Sequence, residues 1–170
     1  MCADSRCVGL IPSDRSDPPK PQCPSCIGFA TGLLDRRLWG FGAQSKNLIL
    51  HAGTGGICPT SQSFKDTYGS ADEHLQLLVE TAHAVGSNVA RCYLGSMKDR
   101  KGPGGIGKHV DSTLAMLKKI RPRALDLGVR LAIENHAGDL HSRELKELVE
   151  RAGPEFVGVT LDTGNSTWTL

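Results

Sequence analysis

The second half of the sequence predicts an α/β fold in which parallel strands alternate with helices. Between residues 71 and 162, short β-branched runs alternate with segments of helical periodicity, in the order helix, strand, helix, strand, helix, strand. Two of these strands stop abruptly at a carboxylate, Glu134 or Asp162, that is followed by small polar residues. Such alternation is typical of a parallel sheet covered by its crossover helices. The carboxyl ends of its strands are where such folds carry out their chemistry.

The predicted helices have recognisable ends. Ser70 and Glu73 form a capping box at the start of the first helix. Further helices are expected at about 108–127 and 142–152, each with one apolar face. Pro122 should kink the first of these two helices or break it into two pieces.

The first 50 residues differ from the rest of the chain. They hold five of the nine prolines and show no sustained periodicity, so residues 1–50 are predicted to be an irregular or disordered segment. A short strand is expected within it at residues 47–50. The second predicted unit is residues 51–170, which opens with a flexible loop at residues 53–56.

Length and charge restrict the class of protein. A chain of 170 residues is long enough for one domain with a sizeable core. Its net charge of +2 is too small to indicate binding to nucleic acid or to an anionic membrane. No apolar run approaches the roughly 20 residues that span a bilayer, and prolines and charges interrupt any apolar core of a signal peptide. We therefore expect a cytoplasmic protein.

Cysteines and glycines give two weaker motifs. Cys23 and Cys26 are spaced as C-x-x-C, and with Cys2 and Cys7 they make four candidate zinc ligands, although the second pair is loosely spaced. Residues 102–107 satisfy G-x-G-x-x-G, but the preceding strand ends several residues earlier, whereas a dinucleotide site needs a tight strand-to-helix turn. A mobile loop at the edge of the sheet is the better interpretation.

The two acidic strand ends are the candidate site. Hard divalent cations favour carboxylate oxygens, so Glu134 and Asp162 are candidate metal ligands. The alternatives are that Glu134 is a salt-bridge partner and that Asp162 caps the following turn. His136 and Asn165 follow the two acids closely and are candidates for an extra ligand or for binding a substrate hydroxyl. The remaining histidines are interpreted as surface residues: His51, His74, His83, His109 and His141.

These motifs resemble those of the xylose isomerase-like TIM-barrel superfamily, and within it the bacterial sugar phosphate isomerases/epimerases, which share ancestry with endonuclease IV. The resemblance covers about residues 53–170 in family order. The segments that carry it are residues 55–61, 64–69, 89–95, 132–136 (Ala-Ile-Glu-Asn-His) and 161–165 (Leu-Asp-Thr-Gly-Asn).

The resemblance implies a partial (β/α)₈ barrel with one catalytic divalent metal, commonly Mn²⁺, Mg²⁺, Co²⁺ or Zn²⁺. Glu134 matches the glutamate that binds the metal and moves a proton in the epimerases. Asp162 matches the aspartate ligand of the next strand, and His136 falls where these proteins place a substrate-facing side chain. The expected partner is a small-molecule sugar or sugar phosphate, with neither nucleic acid nor membrane. The oligomeric state, the metal and the sugar are left open.

The chain also departs from the family pattern. A histidine and a second glutamate, expected on later strands, would lie beyond Leu170. Residues 1–50 do not match the first strands of a barrel, and are either an unrelated extension or an out-of-frame translation. We therefore expect a truncated isomerase/epimerase that binds metal poorly and has little activity. The alternatives are a phosphodiester hydrolase like endonuclease IV, disfavoured because Asn165 stands where a histidine is expected, and a non-catalytic fragment or zinc-binding module.

Overall fold

The computed structural model describes residues 40–166, and residues 40–44 form a short helix. The elements that follow, in chain order, are β1 (Ala52–Gly56), α1 (Ala71–Ala84), β2 (Val89–Tyr93), α2 (Met97–Lys101), α3 (Gly105–Asp126), β3 (Arg130–Glu134), α4 (Ser142–Ala152), β4 (Val157–Thr160) and α5 (Thr163–Ser166).

The four strands form one parallel sheet in the order β1-β2-β3-β4. Strands β2, β3 and β4 are aligned in register: Ala90 pairs with Leu131, and Leu131 pairs with Val157. A helix separates each strand from the next along the chain. This arrangement confirms the predicted α/β fold, and it places the ends of β3 and β4 at the same edge of the sheet.

One face of the sheet packs against the helices and forms the core. Side chains alternate between the two faces of a strand, and the helix-facing positions are apolar and almost fully buried. Helix α3 packs against α1, α2, α4 and β3. The core residues from strands and helices include Leu75, Val79, Ala90, Cys92, Leu117, Leu131, Ile133, Leu148, Phe156 and Val157.

The opposite face of the sheet carries small and polar residues. Arg91, Tyr93 and Glu134 alternate with the buried apolar positions of β2 and β3. A β-carbon built on Gly55 would lie 3.3 Å from the hydroxyl oxygen of Tyr93, which places Gly55 on this same face. In a closed barrel this face lines the interior, so we call it the interior face.

Several expectations about local structure differ from the observed elements. The segment 53–56 lies within strand β1 rather than in a flexible loop, and residues 47–50 contain no strand. Pro122 lies inside the single helix α3, so of the two outcomes expected for it, a kink or a break into two pieces, the break does not occur. The predicted loop after β2 contains the short helix α2.

Other expectations lie outside residues 40–166. The four cysteines of the candidate zinc site precede residue 40, and the boundary between residues 50 and 51 stays a prediction. Within the part of the chain that is described, no helix is both long and apolar enough to cross a membrane.

Candidate active site

Glu134 is the last residue of β3 and is almost fully buried on the interior face, with 3% of its surface exposed. Its Oε2 atom forms an ion pair with the guanidinium of Arg91, which extends from the neighbouring strand β2. A buried carboxylate is costly unless an opposite charge accompanies it. Arg91 therefore compensates the charge of Glu134 and fixes one of its two oxygens. The salt-bridge role that the sequence left open for Glu134 is thus observed.

Asp162 lies just after β4 and directly precedes the short helix α5. Its Oδ1 atom accepts hydrogen bonds from the backbone N–H of Gly164, at 2.8 Å, and of Asn165, at 3.1 Å. Asp162 therefore acts as a cap, as the second open interpretation proposed. Its other oxygen, Oδ2, points to the side chain of Asn165.

Asn165 brings the two carboxylates together. Its side-chain Nδ2 lies 3.0 Å from Oδ2 of Asp162 and 3.4 Å from Oε1 of Glu134. One amide nitrogen thus donates to both acids, and it occupies the position on which the two carboxylates converge. The three predicted site residues form one polar cluster at the carboxyl ends of β3 and β4.

Asn135 holds these two strand ends at a fixed separation. Its Nδ2 donates to the carbonyl of Asp162, and its Oδ1 accepts from the backbone N–H of the same residue, both at 2.8 Å. This pair of hydrogen bonds continues the link between β3 and β4 beyond the end of the sheet. The sequence motifs alone indicate no role for Asn135, although it lies between Glu134 and His136 in the matched motif.

His136 stacks on Tyr93 rather than joining the cluster of acids. The ring centroids are 3.7 Å apart and the planes are inclined by 15°. Its Nδ1 atom is 3.4 Å from the carbonyl oxygen of Gly95. The half-buried imidazole therefore has a defined orientation on the same side of the sheet as Glu134.

The loop after β3 is anchored by the fully buried Asp139. Its carboxylate accepts hydrogen bonds from the backbone N–H groups of His136, Leu140 and Gly95, the last of which follows β2. Burial raises the pKa of Asp139, and the three N–H donors offset that effect only in part. Asp139 therefore ties together the backbones that position His136.

Asp99 performs a similar task between the loops after β1 and β2. Its carboxylate accepts hydrogen bonds from the Ser61 hydroxyl at 2.7 Å, from the backbone N–H of Gln62 at 3.0 Å and from that of Ser96 at 2.8 Å. Burial acts to raise the pKa of Asp99, but these donors together outweigh burial and hold the pKa below its ordinary value.

Two histidines interpreted as surface residues are buried. His74 contacts the hydroxyl of Thr54 beneath the sheet, and burial lowers its pKa. Nδ1 of His109 lies 2.9 Å from the hydroxyl oxygen of Thr60 and 3.6 Å from the sulfur of Cys58. Both histidines lie on the buried faces of their helices, a position that their helical spacing could have indicated.

The cluster around Glu134 offers two carboxylates to a cation. They converge on one point, as oxygen ligands of a divalent metal do. Within residues 40–166 no group of three or more His, Cys, Asp or Glu side chains is placed to hold a metal. Glu134 and Asp162 thus bring two carboxylate groups together, and carboxylate oxygens are of the chemical type that divalent cations prefer.

The described residues form a parallel β/α sheet with carboxylates at the carboxyl ends of its strands. Both features are typical of β/α-barrel proteins. A family model described as "Xylose isomerase-like TIM barrel" matches residues 44–169. The chain belongs to this family. A search of curated proteins returned no match.

Solved structures show the same fold. D-psicose 3-epimerase, crystallised in the presence of D-fructose, is 19% identical with a TM-score of 0.61; the match covers 80% of this chain and 50% of that one. A xylose isomerase domain protein from Planctomyces limnophilus is 15% identical with a TM-score of 0.55, covering 79% and 50%. A protein titled as a sugar phosphate isomerase/epimerase from Anabaena variabilis is 18% identical with a TM-score of 0.55, covering 84% and 53%. The chain spans about half the length of these structures.

Proposed function

We propose that this chain carries the acidic half of a metal-dependent sugar or sugar-phosphate isomerase/epimerase site. The observation that carries the proposal is the convergence of Glu134 and Asp162 on Nδ2 of Asn165. Membership of the xylose isomerase-like family and the sugar-processing titles of its structural neighbours support it. The substrate would be a small sugar or sugar phosphate with a carbonyl group.

The two oxygens of Glu134 have different surroundings. Oε2 is held by Arg91, whereas Oε1 faces Asn165 and, beyond it, Asp162. Oε1 is therefore the atom that would remove a proton from the carbon next to the substrate carbonyl and return it to the product. Arg91 would keep the carboxylate in one orientation during this transfer.

Glu134 and Asp162 would hold one divalent cation, which when bound would polarise the substrate carbonyl. Rotation of the Asn165 amide would present its oxygen as a third donor, while Nδ2 would turn toward a substrate hydroxyl. His136, fixed by its stack on Tyr93, would line the sugar site. With two carboxylate ligands, cation binding should be weak and turnover slow.

Titration calorimetry with Mn²⁺ tests the metal site. We expect weak binding to the unmodified chain, and a loss of about tenfold or more in affinity for Glu134→Gln and for Asp162→Asn, because each removes a charged oxygen ligand. The matched control is Glu150→Gln, which neutralises an exposed carboxylate on α4. Equal Mn²⁺ binding by Glu134→Gln and the unmodified chain would overturn the assignment.

Proton transfer can be measured without complete turnover. In D₂O with Mn²⁺ and D-fructose, nuclear magnetic resonance should detect slow deuterium uptake at the carbon next to the carbonyl. Uptake should vanish in Glu134→Gln and persist in Glu150→Gln. Uptake that is absent from the unmodified chain, or that is the same in both variants, would contradict a catalytic role for Glu134.

A further inference from the structure

The short helix α2 connects two of the loops that surround the candidate site. It lies just after β2, and its neighbouring charged residues, Asp99 and Arg100, contact different loops. Asp99 accepts hydrogen bonds from Ser61 and Gln62 in the loop after β1. Arg100 extends instead to the loop after β3, which carries His136. Helix α2 therefore links the loop after β1 with the loop after β3.

The Arg100 guanidinium binds the backbone of the loop after β3. Its Nε donates to the carbonyl oxygen of Gly138 at 3.3 Å, and its Nη2 donates to that of Asp139 at 3.1 Å. Its Nη1 lies 3.1 Å from Oε1 of Glu144, and Nη2 also contacts Oε2 of the same carboxylate. Because a guanidinium presents several donors in one plane, a single side chain binds two backbone carbonyls and a carboxylate.

Glu144 attaches this guanidinium to helix α4. Its Oε2 atom accepts a hydrogen bond from the backbone N–H of His141 at 2.7 Å, which caps α4. Burial acts to raise the pKa of Glu144, but the Arg100 guanidinium and this N–H together outweigh burial and hold the pKa below its ordinary value. Glu144 is therefore ionised at neutral pH, and Arg100 is held between the two loops and α4 by a full ion pair.

The loop that Arg100 binds contains a strained residue. Ala137 has a φ of 42°, in the left-handed region, and Gly138 follows with a φ of 75°. A residue with a β-carbon is disfavoured in this region, and such strain persists only where the surroundings enforce it. Relaxation of Ala137 would rotate the backbone next to His136, whose ring centroid lies 3.7 Å from that of Tyr93.

We propose that Arg100 is a positioning residue. It holds the loop 137–139 in its strained conformation, and the loop in turn keeps the imidazole of His136 on Tyr93, on the side of the sheet where Glu134 lies. The orientation of His136 can be measured without any reaction. Only its consequence for proton transfer rests on the proposed function.

Proton nuclear magnetic resonance of the metal-free full chain tests the positioning. Protons that lie over the face of an aromatic ring resonate upfield, so the ring protons of His136 should be shifted upfield. His136→Gln assigns these signals, and Tyr93→Leu gives the position of the unstacked ring. In Arg100→Gln the signals should move most of the way to that unstacked position.

Arg151→Gln is the matched control. Arg151 is also an arginine that pairs with two carboxylates, those of Asp111 and Glu147, and both pairs are exposed on α3 and α4. This variant should leave the His136 signals in place. If Arg100→Gln does not fold by circular dichroism, Arg100→Lys replaces it. Lysine keeps the charge opposite Glu144, but one ammonium group cannot bind the carboxylate and both carbonyls at once, so the upfield shift should again be lost.

Ala137→Gly tests whether Arg100 acts against backbone strain. Glycine adopts the left-handed region without the penalty of a β-carbon. The double variant Arg100→Gln/Ala137→Gly should therefore recover part of the upfield shift. The proposal is overturned if the Arg100 variant and the unmodified chain give the same His136 signals, or if the unmodified chain already shows the unstacked position. It is also overturned if Ala137→Gly moves the signals further toward that position.

The consequence for proton transfer is measured separately. With Mn²⁺ and D-fructose in D₂O, deuterium uptake should be about tenfold or more slower in Arg100→Gln than in Arg151→Gln, because small displacements of a site group are costly. Equal uptake in these two variants would show that the position of the loop does not matter to the reaction. Absence of uptake from the unmodified chain would contradict the proposed function instead, while the His136 signals would still decide the role of Arg100.

Discussion

The pairing of Arg91 with Glu134 is the contact on which the candidate site depends most. The Glu134 side chain is 4% exposed, whereas the Arg91 side chain is 24% exposed. Water can therefore reach the guanidinium more easily than the carboxylate. Removing Arg91 would leave a buried negative charge without compensation, whereas neutralising Glu134 would leave a cation that solvent partly stabilises.

This asymmetry gives a stability prediction. Arg91→Gln should lower the free energy of unfolding by about 2–4 kcal/mol, whereas Glu134→Gln should lower it by only about 1 kcal/mol. The double variant should be more stable than Arg91→Gln alone, because it no longer contains the isolated charge. Urea denaturation of the three proteins measures the effect. Equal losses in the two single variants would show that burial of the carboxylate is not the dominant cost.

Asp99 gives a prediction about pH. Its folded-state pKa lies below the ordinary value of 3.8 because hydrogen bonds outweigh burial. The contribution of a carboxylate with a depressed pKa is present above the unfolded-state pKa and is lost as pH falls through the folded-state pKa. Asp99→Asn should therefore cost about 2 kcal/mol at neutral pH, and the difference from the unmodified chain should shrink below pH 3.8.

Denaturation at several pH values would measure this difference. Asp126→Asn is a suitable control, since Asp126 is exposed at the end of α3, where it pairs with Arg123. That variant should differ little from the unmodified chain. The unfolding free energies of Asp99→Asn and of the unmodified chain could instead differ by the same amount down to low pH. That result would mean that the ionised form of Asp99 is not what stabilises the loops.

At the scale of elements, strand β1 is the case in which the local sequence pattern predicts the wrong secondary structure. Glycine is unfavourable in strands, so the Gly-Thr-Gly-Gly run predicts a loop, yet these residues form most of β1. The reason is tertiary: the Tyr93 and Arg91 side chains of β2 cover Gly55 and Gly53 on the interior face. The other strands were predictable because they are continuous runs with apolar residues at the helix-facing positions, such as Cys92, Ile133 and Val157. The local sequence around a glycine does not indicate which side chains of a neighbouring strand will cover it.

Two glycines on neighbouring elements should respond in opposite ways to alanine. A β-carbon on Gly95 would lie 2.9 Å from the Ser61 hydroxyl and would also overlap the Asp99 carboxylate. Gly107 lies inside α3, and a β-carbon added there would have no atom within 4 Å. Gly95→Ala should therefore destabilise the protein by about 1–3 kcal/mol. Gly107→Ala should stabilise it by about 0.8–1 kcal/mol, since alanine favours helices.

Thermal or urea denaturation of the two variants provides the comparison. Each serves as the control for the other, because the chemical change is the same. If Gly95→Ala is neutral, the Ser61–Asp99 link between the loops after β1 and β2 must be flexible. That outcome would also weaken the view that these loops form a fixed rim.

At the scale of the whole molecule, the sequence predicts the acidic pair but not its environment. The positions of Glu134 and Asp162 follow from strand periodicity, because the ends of neighbouring parallel strands meet. The ion pair with Arg91 and the stack of His136 on Tyr93 depend on the register between β2 and β3. That register is a property of the assembled sheet, since local sequence patterns do not encode which residues of separate strands face each other.

Whether this sheet and its helices unfold as one unit can be tested through two buried cysteines. Cys58 follows β1 and Cys92 lies in β2, and both are fully buried and free. Burial raises the pKa of Cys92 to about 12, so its thiol should react only after the structure opens. With Cys2, Cys7, Cys23 and Cys26 replaced by serine, both thiols should be labelled about 10³-fold or more slowly than a free thiol.

Mass spectrometry of the labelled peptides, at increasing urea concentrations, separates global from local opening. If β1 unfolds together with the centre of the sheet, the two cysteines should share one labelling rate and one dependence on urea. Faster labelling of Cys58 with little dependence on urea would show instead that the segment after β1 opens separately. Because β1 is an outer strand of the described sheet and β2 an inner one, this comparison measures how firmly the outer strand is held to the rest of the molecule.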